Sequence, residues 1–379
     1  MSKVKVTTIL GTRPELIRLS SIIKAMDSVF EHRLVHTGQN FNSQLSDVFF
    51  EELEIRSPNV FLGVSPESLG VFLGELFKVI EKEFIQNPPD AVVILGDTNS
   101  ALAGIIAKRR GIPVYHLEAG NRSFDLNVPE EINRHIVDHF ADFNMAYTSH
   151  AKENLLREGL HPRTISVIGS PLQEVVARYK NQIENSDILE RLTLNSGEFF
   201  LVSAHRQENI DDPKRLVQLL EALNAIANTF GLRVIVSTHP RTKSKLDNLH
   251  IEINPLISFE PPFGYFDYNK LQKEARIVLS DSGSVSEESV ILGFPAITIR
   301  DSMERPEALE SGSILMSGIS EAGIMEAIEI LESGATSMSP PPEYLIPDSS
   351  TRVVNFIAST VRQHAFWNGL RKIQDASKL

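Results

Sequence analysis

The stretch HLEAGNRSFDLNVPEE, residues 116–131, collects ionisable side chains in a segment that reads as a loop between a strand and a helix. It holds four carboxylates, at Glu118, Asp125, Glu130 and Glu131. A turn needs none of these groups for its backbone geometry. Carboxylates held near one another can take a proton from a reacting atom and return it. This density therefore predicts one wall of an active site that performs proton transfer.

Each carboxylate also has an ordinary structural explanation to weigh. Asp97 ends a strand and could cap the helix predicted over 98–110, while Glu130 or Glu131 could complement a helix dipole. Asp125 is most simply a solvated turn residue. Glu118 lies between an apolar strand and a glycine turn, where no such explanation applies. Glu118 is therefore the strongest candidate, and Asp97 stays open between the two readings.

A second group of residues suits an anionic ligand. Gly11-Thr12-Arg13-Pro14-Glu15 follows the first predicted strand, so Arg13 could reach a phosphate near the positive end of a helix. The turn Ser282-Gly283-Ser284 offers hydroxyls and backbone donors, and Arg305 could add a bidentate contact. Each feature is weak alone, and together they predict a bound anion.

The elements that must position these groups are short apolar runs alternating with helical patterns. Because the runs are nearly continuously apolar, they predict strands covered on both faces, as in a parallel sheet flanked by helices. The predicted strands are 4–10, 90–96, 112–118, 165–169, 198–204, 232–239, 276–281 and 294–299. In such sheets ligands bind at the carboxyl ends of strands. His205 and His239 also follow strands and could join the site.

The segments 92–120 and 276–302 share one order of strand, Asp, polar turn, helix and Gly-X-Pro, so that Asp97 corresponds to Asp281. This quasi-repeat predicts two Rossmann-like domains in series, although any α/β chain can produce such echoes. We expect an N-terminal domain over 1–172, joined by a C-terminal helix at about 358–379, and a second domain over 173–357. Trp367 is expected to be a docking residue of that helix.

Composition excludes several classes. A net charge of -12 argues against a non-specific nucleic-acid or membrane-surface binder, and the absence of cysteine excludes disulfides and thiolate chemistry. The N-terminus turns polar after about ten residues, and no apolar run approaches roughly 18 residues, which predicts a cytoplasmic setting. His135 and His139 have metal-ligand spacing but no evident third ligand. No G-x-G-x-x-G follows the first strand, so a dinucleotide is disfavoured.

With these residues in view, the chain resembles the non-hydrolysing UDP-N-acetylglucosamine 2-epimerase family over essentially its full length. The matching motifs are GTRPE (11–15), GDT (96–98), HLEAG (116–120), PEE-x-NR (129–134), HR-x-EN (205–209), DSG-x-x-x-EE (281–288) and ERPE (304–307). The resemblance implies a GT-B-like α/β fold, in which the parallel sheets of two Rossmann-like domains face a central cleft. It also implies a homodimer and no metal, nicotinamide or other cofactor.

The resemblance further implies a reaction. UDP leaves first, which acidifies the hydrogen on sugar C2, and a 2-acetamidoglycal then takes UDP back with a proton delivered from the opposite face. The implied acid/base set is Asp97, Glu118, Glu130 and His205. The implied UDP contacts are Arg13, Arg18, Arg134, His239, Tyr268, Ser282, Gly283, Ser284, Glu288 and Arg305, with Arg134 supporting either the phosphates or the acidic residues.

Departures from the commoner family pattern indicate a branch. TGQNFN (37–42), AGNRSFD (119–125) and RQHAFWN (362–368) are similar to the branch that forms UDP-N-acetyl-L-fucosamine from UDP-2-acetamido-2,6-dideoxy-L-talose, for surface polysaccharide synthesis. The change at Asn40 and Phe41 puts control by a regulatory UDP-sugar in doubt. The alternatives are the conversion of UDP-N-acetylglucosamine to UDP-N-acetylmannosamine, a hydrolysing epimerase, a glycosyltransferase and a non-catalytic sugar-nucleotide binder.

Overall fold

A computed structural model describes residues 3–39, 43–65, 67–238, 245, 251–334 and 339–370, with the backbone alone for 43–47 and 207–208. The chain forms two compact units: unit 1 is Met1–Val175 with Ile346–Leu379, and unit 2 is Val176–Leu345. The chain returns to unit 1 earlier than the expected position near 358. The reason is that the helix Ser349–Thr360 packs against the helix Arg13–Val29 of unit 1.

Unit 1 contains a seven-stranded parallel sheet in the order β3-β2-β1-β4-β5-β6-β7. Its strands are β1 Lys5–Leu10, β2 Glu31–His36, β3 Val60–Phe61, β4 Ala91–Leu95, β5 Val114–Leu117, β6 Phe143–Ala146 and β7 Ile165–Val167. β1 pairs with both β2 and β4, so the strand order reverses between β1 and β4. This reversal is the switch point of a Rossmann-like sheet.

Helices cover the sheet of unit 1 and bury its apolar side chains. They are Arg13–Val29, Ser43–Glu52, Leu69–Gln86, Gly104–Arg109, Pro129–Phe140, Ser149–Arg157, Pro171–Arg178, Ser349–Thr360 and His364–Trp367, with 3₁₀ turns at Asn99–Ala103 and Pro162–Thr164. Pro171–Arg178 continues past the division of the units. The guanidinium carbon of Arg163 lies over the ring of Trp367, 4.8 Å from the ring centroid. The ring centroids of Trp367 and Phe143 are 6.4 Å apart. The predicted docking role of Trp367 is confirmed.

Unit 2 repeats the architecture with a six-stranded parallel sheet in the order β10-β9-β8-β11-β12-β13. Its strands are β8 Phe199–Ser203, β9 Arg233–Ser237, β10 Ile257–Glu260, β11 Ile277–Ser280, β12 Ala296–Thr298 and β13 Leu315–Met316. Its helices are Lys180–Glu184, Ile188–Arg191, Gln207–Ile210, Pro213–Phe230, Tyr265–Glu274, Val285–Leu292, Pro306–Glu310 and Glu321–Glu332, with a 3₁₀ turn at Pro342–Leu345. The switch point lies between β8 and β11.

The predicted fold class, α/β with two Rossmann-like units of parallel sheet, is confirmed. All eight strands predicted from apolar runs are present. β2, β3, β6, β10 and β13 were not predicted. Within the part of the chain that the structure describes, no helix has both the length and the apolar composition that a membrane span requires.

Candidate active site

The carboxyl ends of β1 and β4 lie side by side at the switch point of unit 1. The register between these strands ends at Thr8 and Val93, two residues before either strand ends. A crevice at this place is where open parallel sheets bind ligands. The turn after β1 carries Arg13, and the turn after β4 carries Asp97. The sheet thus brings together two of the residue groups that the sequence singled out.

Asp97 is half-buried and held by an arginine. Arg134 Nε donates to Asp97 Oδ2 at 2.8 Å, and Nη2 of the same guanidinium lies 2.8 Å from that oxygen. Asn133 Nδ2 donates to the backbone carbonyl of Asp97 at 2.8 Å. Both residues lie on the helix Pro129–Phe140, which therefore fixes the Asp97 turn. Of the two supports expected of Arg134, phosphates or acidic residues, the structure shows the acidic ones.

Glu118 has a backbone conformation that side chains rarely adopt. Its φ is +65°, in the left-handed region, where a residue with a Cβ is strained by about 1–2 kcal/mol. Arg18 Nε lies 3.6 Å from Glu118 Oε2, and Asn121 Nδ2 donates to Oε1 at 3.5 Å. Arg18 is itself buried, with its guanidinium 5.7 Å from the ring centroid of Tyr147. Backbone strain of this kind is more frequent at functional sites. It therefore supports the prediction that Glu118 is a functional residue.

The neighbouring residues Glu130 and Glu131 have different surroundings. Glu131 is buried and accepts hydrogen bonds from the N–H of Ser123 at 3.0 Å, the N–H of Phe124 at 3.0 Å and Arg134 Nη1 at 2.7 Å. Burial alone would raise the pKa of Glu131, but these hydrogen bonds hold it below its ordinary value. Glu131 is therefore a structural anchor of the loop. Glu130 is half-buried in the first turn of the helix and stays the candidate of the pair.

His116 and Asp138 form a buried pair that contacts the turns carrying Asp97 and Glu118. Neither residue was predicted to belong to the site. His116 Nδ1 lies 2.8 Å from Asp138 Oδ1, and its Nε2 lies 2.8 Å from the carbonyl oxygen of Gly96. Asp138 also accepts from the N–H of Gly120 at 3.1 Å and from Arg122 Nη1 at 2.7 Å. The pair thus ties the turn before Asp97 to the loop after Glu118. The sequence signal for Asp138 was its acidic side chain on the buried face of the helix Pro129–Phe140.

Glu15 is a second residue with an unassigned role. Its Oε2 accepts from the N–H of Gly11 at 2.9 Å and the N–H of Thr12 at 2.7 Å, and its Oε1 accepts from Thr98 Oγ1 at 2.9 Å. Burial raises the pKa of Glu15 to about 7. Because this carboxylate occupies the N–H groups of Gly11 and Thr12, these two donors are not available to an anion, and the guanidinium of Arg13 stays the predicted anion contact of this turn. That half-buried group lies 5.7 Å from the ring centroid of Phe49.

At the switch point of unit 2 the equivalent carboxylate has a structural task. Asp281 accepts hydrogen bonds at 3.0 Å from the N–H of His205, the N–H of Arg206 and Nδ2 of Asn209. It therefore closes the turn after β8, whereas its counterpart Asp97 faces Arg134. The imidazole of His205 is exposed at the carboxyl end of β8.

The turn after β11 is tightly packed from below. Ser282 Oγ and Ser284 Oγ are 2.9 Å apart, and a Cβ on Gly283 would lie only 2.1 Å from Glu304 Oε1. Arg305 is buried and donates from Nη1 to the carbonyl of Gly283 at 2.5 Å, with Glu287 3.6 Å away. The structure thus shows Arg305 supporting this turn. Its bidentate contact with a phosphate stays a prediction.

Two further expected nucleotide contacts, Tyr268 and Glu288, lie near this turn. Gln272 Nε2 donates to Glu288 Oε2 at 2.6 Å. Burial and the nearby carboxylate of Glu288 raise the pKa of Tyr268 above its ordinary value. His239 lies outside the described residues.

His135 and His139, weighed above as a metal pair, lie instead against acidic side chains. His135 Nδ1 is 3.6 Å and His139 Nε2 is 3.9 Å from the carboxylate of Glu158. Within the described ranges, no group of three histidine or acidic side chains has the arrangement of a metal site.

Comparison with known proteins identifies the family. The model of the family described as UDP-N-acetylglucosamine 2-epimerase matches residues 24–358. The structure of UDP-N-acetylglucosamine 2-epimerase from Rickettsia bellii is 38% identical, covers 97% of this chain and 100% of its own, and superposes with a TM-score of 0.90.

Two further relatives extend the comparison. The Methanocaldococcus jannaschii UDP-GlcNAc 2-epimerase, solved in complex with UDP-GlcNAc and UDP, is 35% identical, with a TM-score of 0.88 over 94% of this chain and 100% of its own. UDP-2,3-diacetamido-2,3-dideoxy-D-glucuronate 2-epimerase of Pseudomonas aeruginosa is 33% identical over 93% of this chain and 99% of its own. The chain has the GT-B-like fold of these proteins, and it is an isomerase that belongs to the UDP-N-acetylglucosamine 2-epimerase family.

Proposed function

We propose that this protein is a non-hydrolysing epimerase that converts UDP-2-acetamido-2,6-dideoxy-L-talose to UDP-N-acetyl-L-fucosamine, a nucleotide sugar for surface polysaccharide. The observation that carries the epimerase reaction is the arrangement at the switch point of unit 1. There the arginine-held Asp97 follows β4 and the strained Glu118 follows the adjacent strand, β5. Family membership supports the same reaction.

The chemistry explains why several carboxylates are needed. The hydrogen on C2 of the sugar is not adjacent to a carbonyl, so a base alone cannot remove it at a useful rate. When the bond from C1 to the diphosphate oxygen breaks, its electron pair leaves with UDP and positive charge develops on C1. A base then takes the C2 proton, and a double bond forms between C1 and C2. Return of a proton to the opposite face of C2, with UDP re-adding at C1, gives the epimer with no net loss of atoms.

We assign the proton transfers to Asp97, Glu118, Glu130 and His205. Both contacts from Arg134 go to Oδ2 of Asp97, so we assign Oδ1 as the oxygen that exchanges a proton with C2. The neighbouring guanidinium of Arg18 keeps a positive charge beside Glu118 while that residue loses or gains a proton. Positioned acid/base groups of this kind contribute about a hundredfold or more each.

We assign the uridine diphosphate to the switch point of unit 2. Ser282, Gly283 and Ser284 would bind phosphate, Glu288 the ribose hydroxyls and Tyr268 the nucleoside, with His239 as a further contact. The tight packing of Gly283 over Arg305 supports this assignment, because it presents the serine hydroxyls on a rigid turn. Arg13 of unit 1 would stabilise the diphosphate as it departs. The relative solved with UDP-GlcNAc and UDP supports a UDP-sugar as the ligand.

The choice of sugar rests on the departures from the commoner sequence pattern. Asn121 lies in one of these departures, AGNRSFD (119–125), and its amide lies 3.5 Å from Glu118 Oε1. The polar amide of Asn121 would alter the hydrogen bonding of Glu118 and the sugar substituents that fit beside it. The Pseudomonas aeruginosa relative, which is named for a different UDP-sugar, supports variation of the substrate within this family.

The second candidate is conversion of UDP-N-acetylglucosamine to UDP-N-acetylmannosamine, which the names of the other two relatives favour. The test is to supply each UDP-sugar separately and to identify the product by proton and phosphorus NMR. The proposal expects a C2 epimer from the 6-deoxy-L-sugar, with the UDP linkage retained. Turnover of UDP-N-acetylglucosamine without turnover of the 6-deoxy-L-sugar would identify UDP-N-acetylglucosamine as the substrate. Release of free UDP and sugar would contradict the non-hydrolysing reaction. We also propose a homodimer, which light scattering after gel filtration would test.

A further inference from the structure

Glu15 is a buried carboxylate at the switch point of unit 1 that lies outside the proposed acid/base set. It is 2% exposed, and four donors surround it. Oε2 accepts from the N–H groups of Gly11 and Thr12 and from Thr12 Oγ1, the last at 2.8 Å. Oε1 accepts from Thr98 Oγ1 at 2.9 Å. One side chain therefore joins the turn after β1 to the turn after β4.

The sheet alone does not hold these two turns together. The pairing of β1 with β4 ends at Thr8 and Val93, whereas β1 keeps its register with β2 as far as Leu10. Beyond that point the Glu15–Thr98 hydrogen bond spans the switch point, between residues 83 apart in the sequence. Thr98 directly follows Asp97. Arg134 and Asn133 hold the Asp97 turn from the helix Pro129–Phe140, and the Glu15–Thr98 contact is what links that turn to the helix start at Arg13.

Burial of a carboxylate with neutral partners has an energetic cost, which shows in the raised pKa of Glu15. Its hydrogen bonds offset part of that cost. A shorter or apolar residue would avoid it but would leave the donors of the two turns without this common acceptor.

We propose that Glu15 is a positioning residue for the epimerase reaction: acting through Thr98, it fixes the turn that carries Asp97 against the helix start that carries Arg13. This inference rests on the proposed function, because it assumes that Asp97 exchanges a proton with substrate. Glu15 touches no reacting atom in this account. Its contribution is geometric, and misplacement of a catalytic group by about 1 Å can cost up to about a hundredfold in rate.

The test compares two replacements of Thr98 that leave Glu15 and its other bonds in place. Thr98→Val removes the hydroxyl and keeps the branched shape, whereas Thr98→Ser keeps the hydroxyl. We expect Thr98→Val to lower kcat about tenfold with little change in KM, and Thr98→Ser to stay within about twofold of the unmodified enzyme. Thr98→Ala serves as a second variant without the hydroxyl if Thr98→Val fails to fold.

A double-mutant cycle separates positioning from general damage. In an Asp97→Asn background, measured as exchange of the C2 hydrogen, Thr98→Val should cost less than about twofold, because the residue being positioned no longer transfers a proton. Equal kcat for Thr98→Val and Thr98→Ser, or an undiminished cost in the Asp97→Asn background, would overturn the inference alone. Absence of C2 exchange in the unmodified enzyme would overturn the proposed function and this inference with it.

Discussion

Arg134 Nε donates to Asp97 Oδ2 at 2.8 Å, although the two residues are 37 positions apart in the sequence. The same guanidinium donates from Nη1 to Glu131 Oε2 at 2.7 Å. A single planar side chain therefore connects the turn after β4 to the anchor of the loop 120–128. The geometry of the proposed acid/base site depends on these two contacts of Arg134, with Asp97 and with Glu131.

Replacement of Arg134 by lysine tests the importance of these two contacts. Lysine keeps the charge but cannot direct two fixed donors at two carboxylates, so we expect kcat to fall at least about tenfold while UDP affinity changes little. Steady-state kinetics and UDP titration measure the two effects. The control is Arg157→Lys, on an exposed pair with Glu153 that should contribute almost nothing. Full activity in Arg134→Lys would show that Asp97 does not need this support.

The backbone of Glu118 gives a prediction about stability. At φ +65° glycine is unstrained and alanine is not, so Glu118→Gly should be more stable than Glu118→Ala by about 1 kcal/mol. At the exposed helical residue Glu153 the order should reverse, with glycine less stable than alanine by about 1 kcal/mol. Urea unfolding of the four variants measures both differences. Alanine equal to glycine at position 118 would remove the argument from strain.

The pH dependence of stability tests the environment of Glu15. Its pKa is about 7 in the folded chain against an ordinary value of 4.5, so the folded state holds the proton more tightly than the unfolded state does. The stability from this group is complete below about pH 4.5 and is lost as pH rises through about 7, a change of roughly 3 kcal/mol.

Glu15→Gln has no such ionisation, so its urea midpoint should rise relative to the unmodified protein between about pH 5 and about pH 8. A constant difference between the two proteins over this range would contradict the raised pKa.

Gly283 tests the nucleotide turn of unit 2. A Cβ there would lie 2.1 Å from Glu304 Oε1 and 2.7 Å from Arg305 Nη1, so alanine must displace the buried side chains of Glu304 and Arg305 or shift the turn itself. Alanine would therefore move the turn that carries Ser282 and Ser284 away from a bound phosphate, and a loss of about 1.4 kcal/mol of binding free energy is tenfold in affinity. We expect Gly283→Ala to weaken UDP binding about tenfold or more by calorimetry. Gly74→Ala, where a Cβ meets nothing within 4 Å, should bind UDP normally. Unchanged affinity in Gly283→Ala would exclude this turn as the phosphate site.

Much of the fold was predictable because parallel strands covered on both faces are nearly continuously apolar. DAVVILG (90–96) shows the pattern, and it correctly gave β4 and the position of Asp97 after it. β2, with the sequence EHRLVH, has three exposed or half-buried polar residues at its start, so its signal is weak. β6 interrupts its apolar run with the buried Asn144, which also escapes a hydropathy pattern.

The partners of the site residues were not predictable. The quasi-repeat correctly indicated two Rossmann-like units, and it made Asp97 and Asp281 equivalent. In the structure Asp281 closes the turn after β8, 76 positions away from it in the sequence, and Glu15 does the same for the turn after β1 from only four residues away. Which carboxylate caps a turn and which remains for chemistry depends on long-range contacts, which the local order of residues does not contain.

Incubation of the enzyme with the 6-deoxy-L-sugar nucleotide in deuterated water tests the central claim most directly. If Asp97 and Glu118 exchange the C2 proton during elimination and return of UDP, NMR of the epimerised product will show deuterium at C2, with the sugar still linked to UDP. An epimer that keeps its original C2 hydrogen, or deuterium at another ring carbon, would contradict the account.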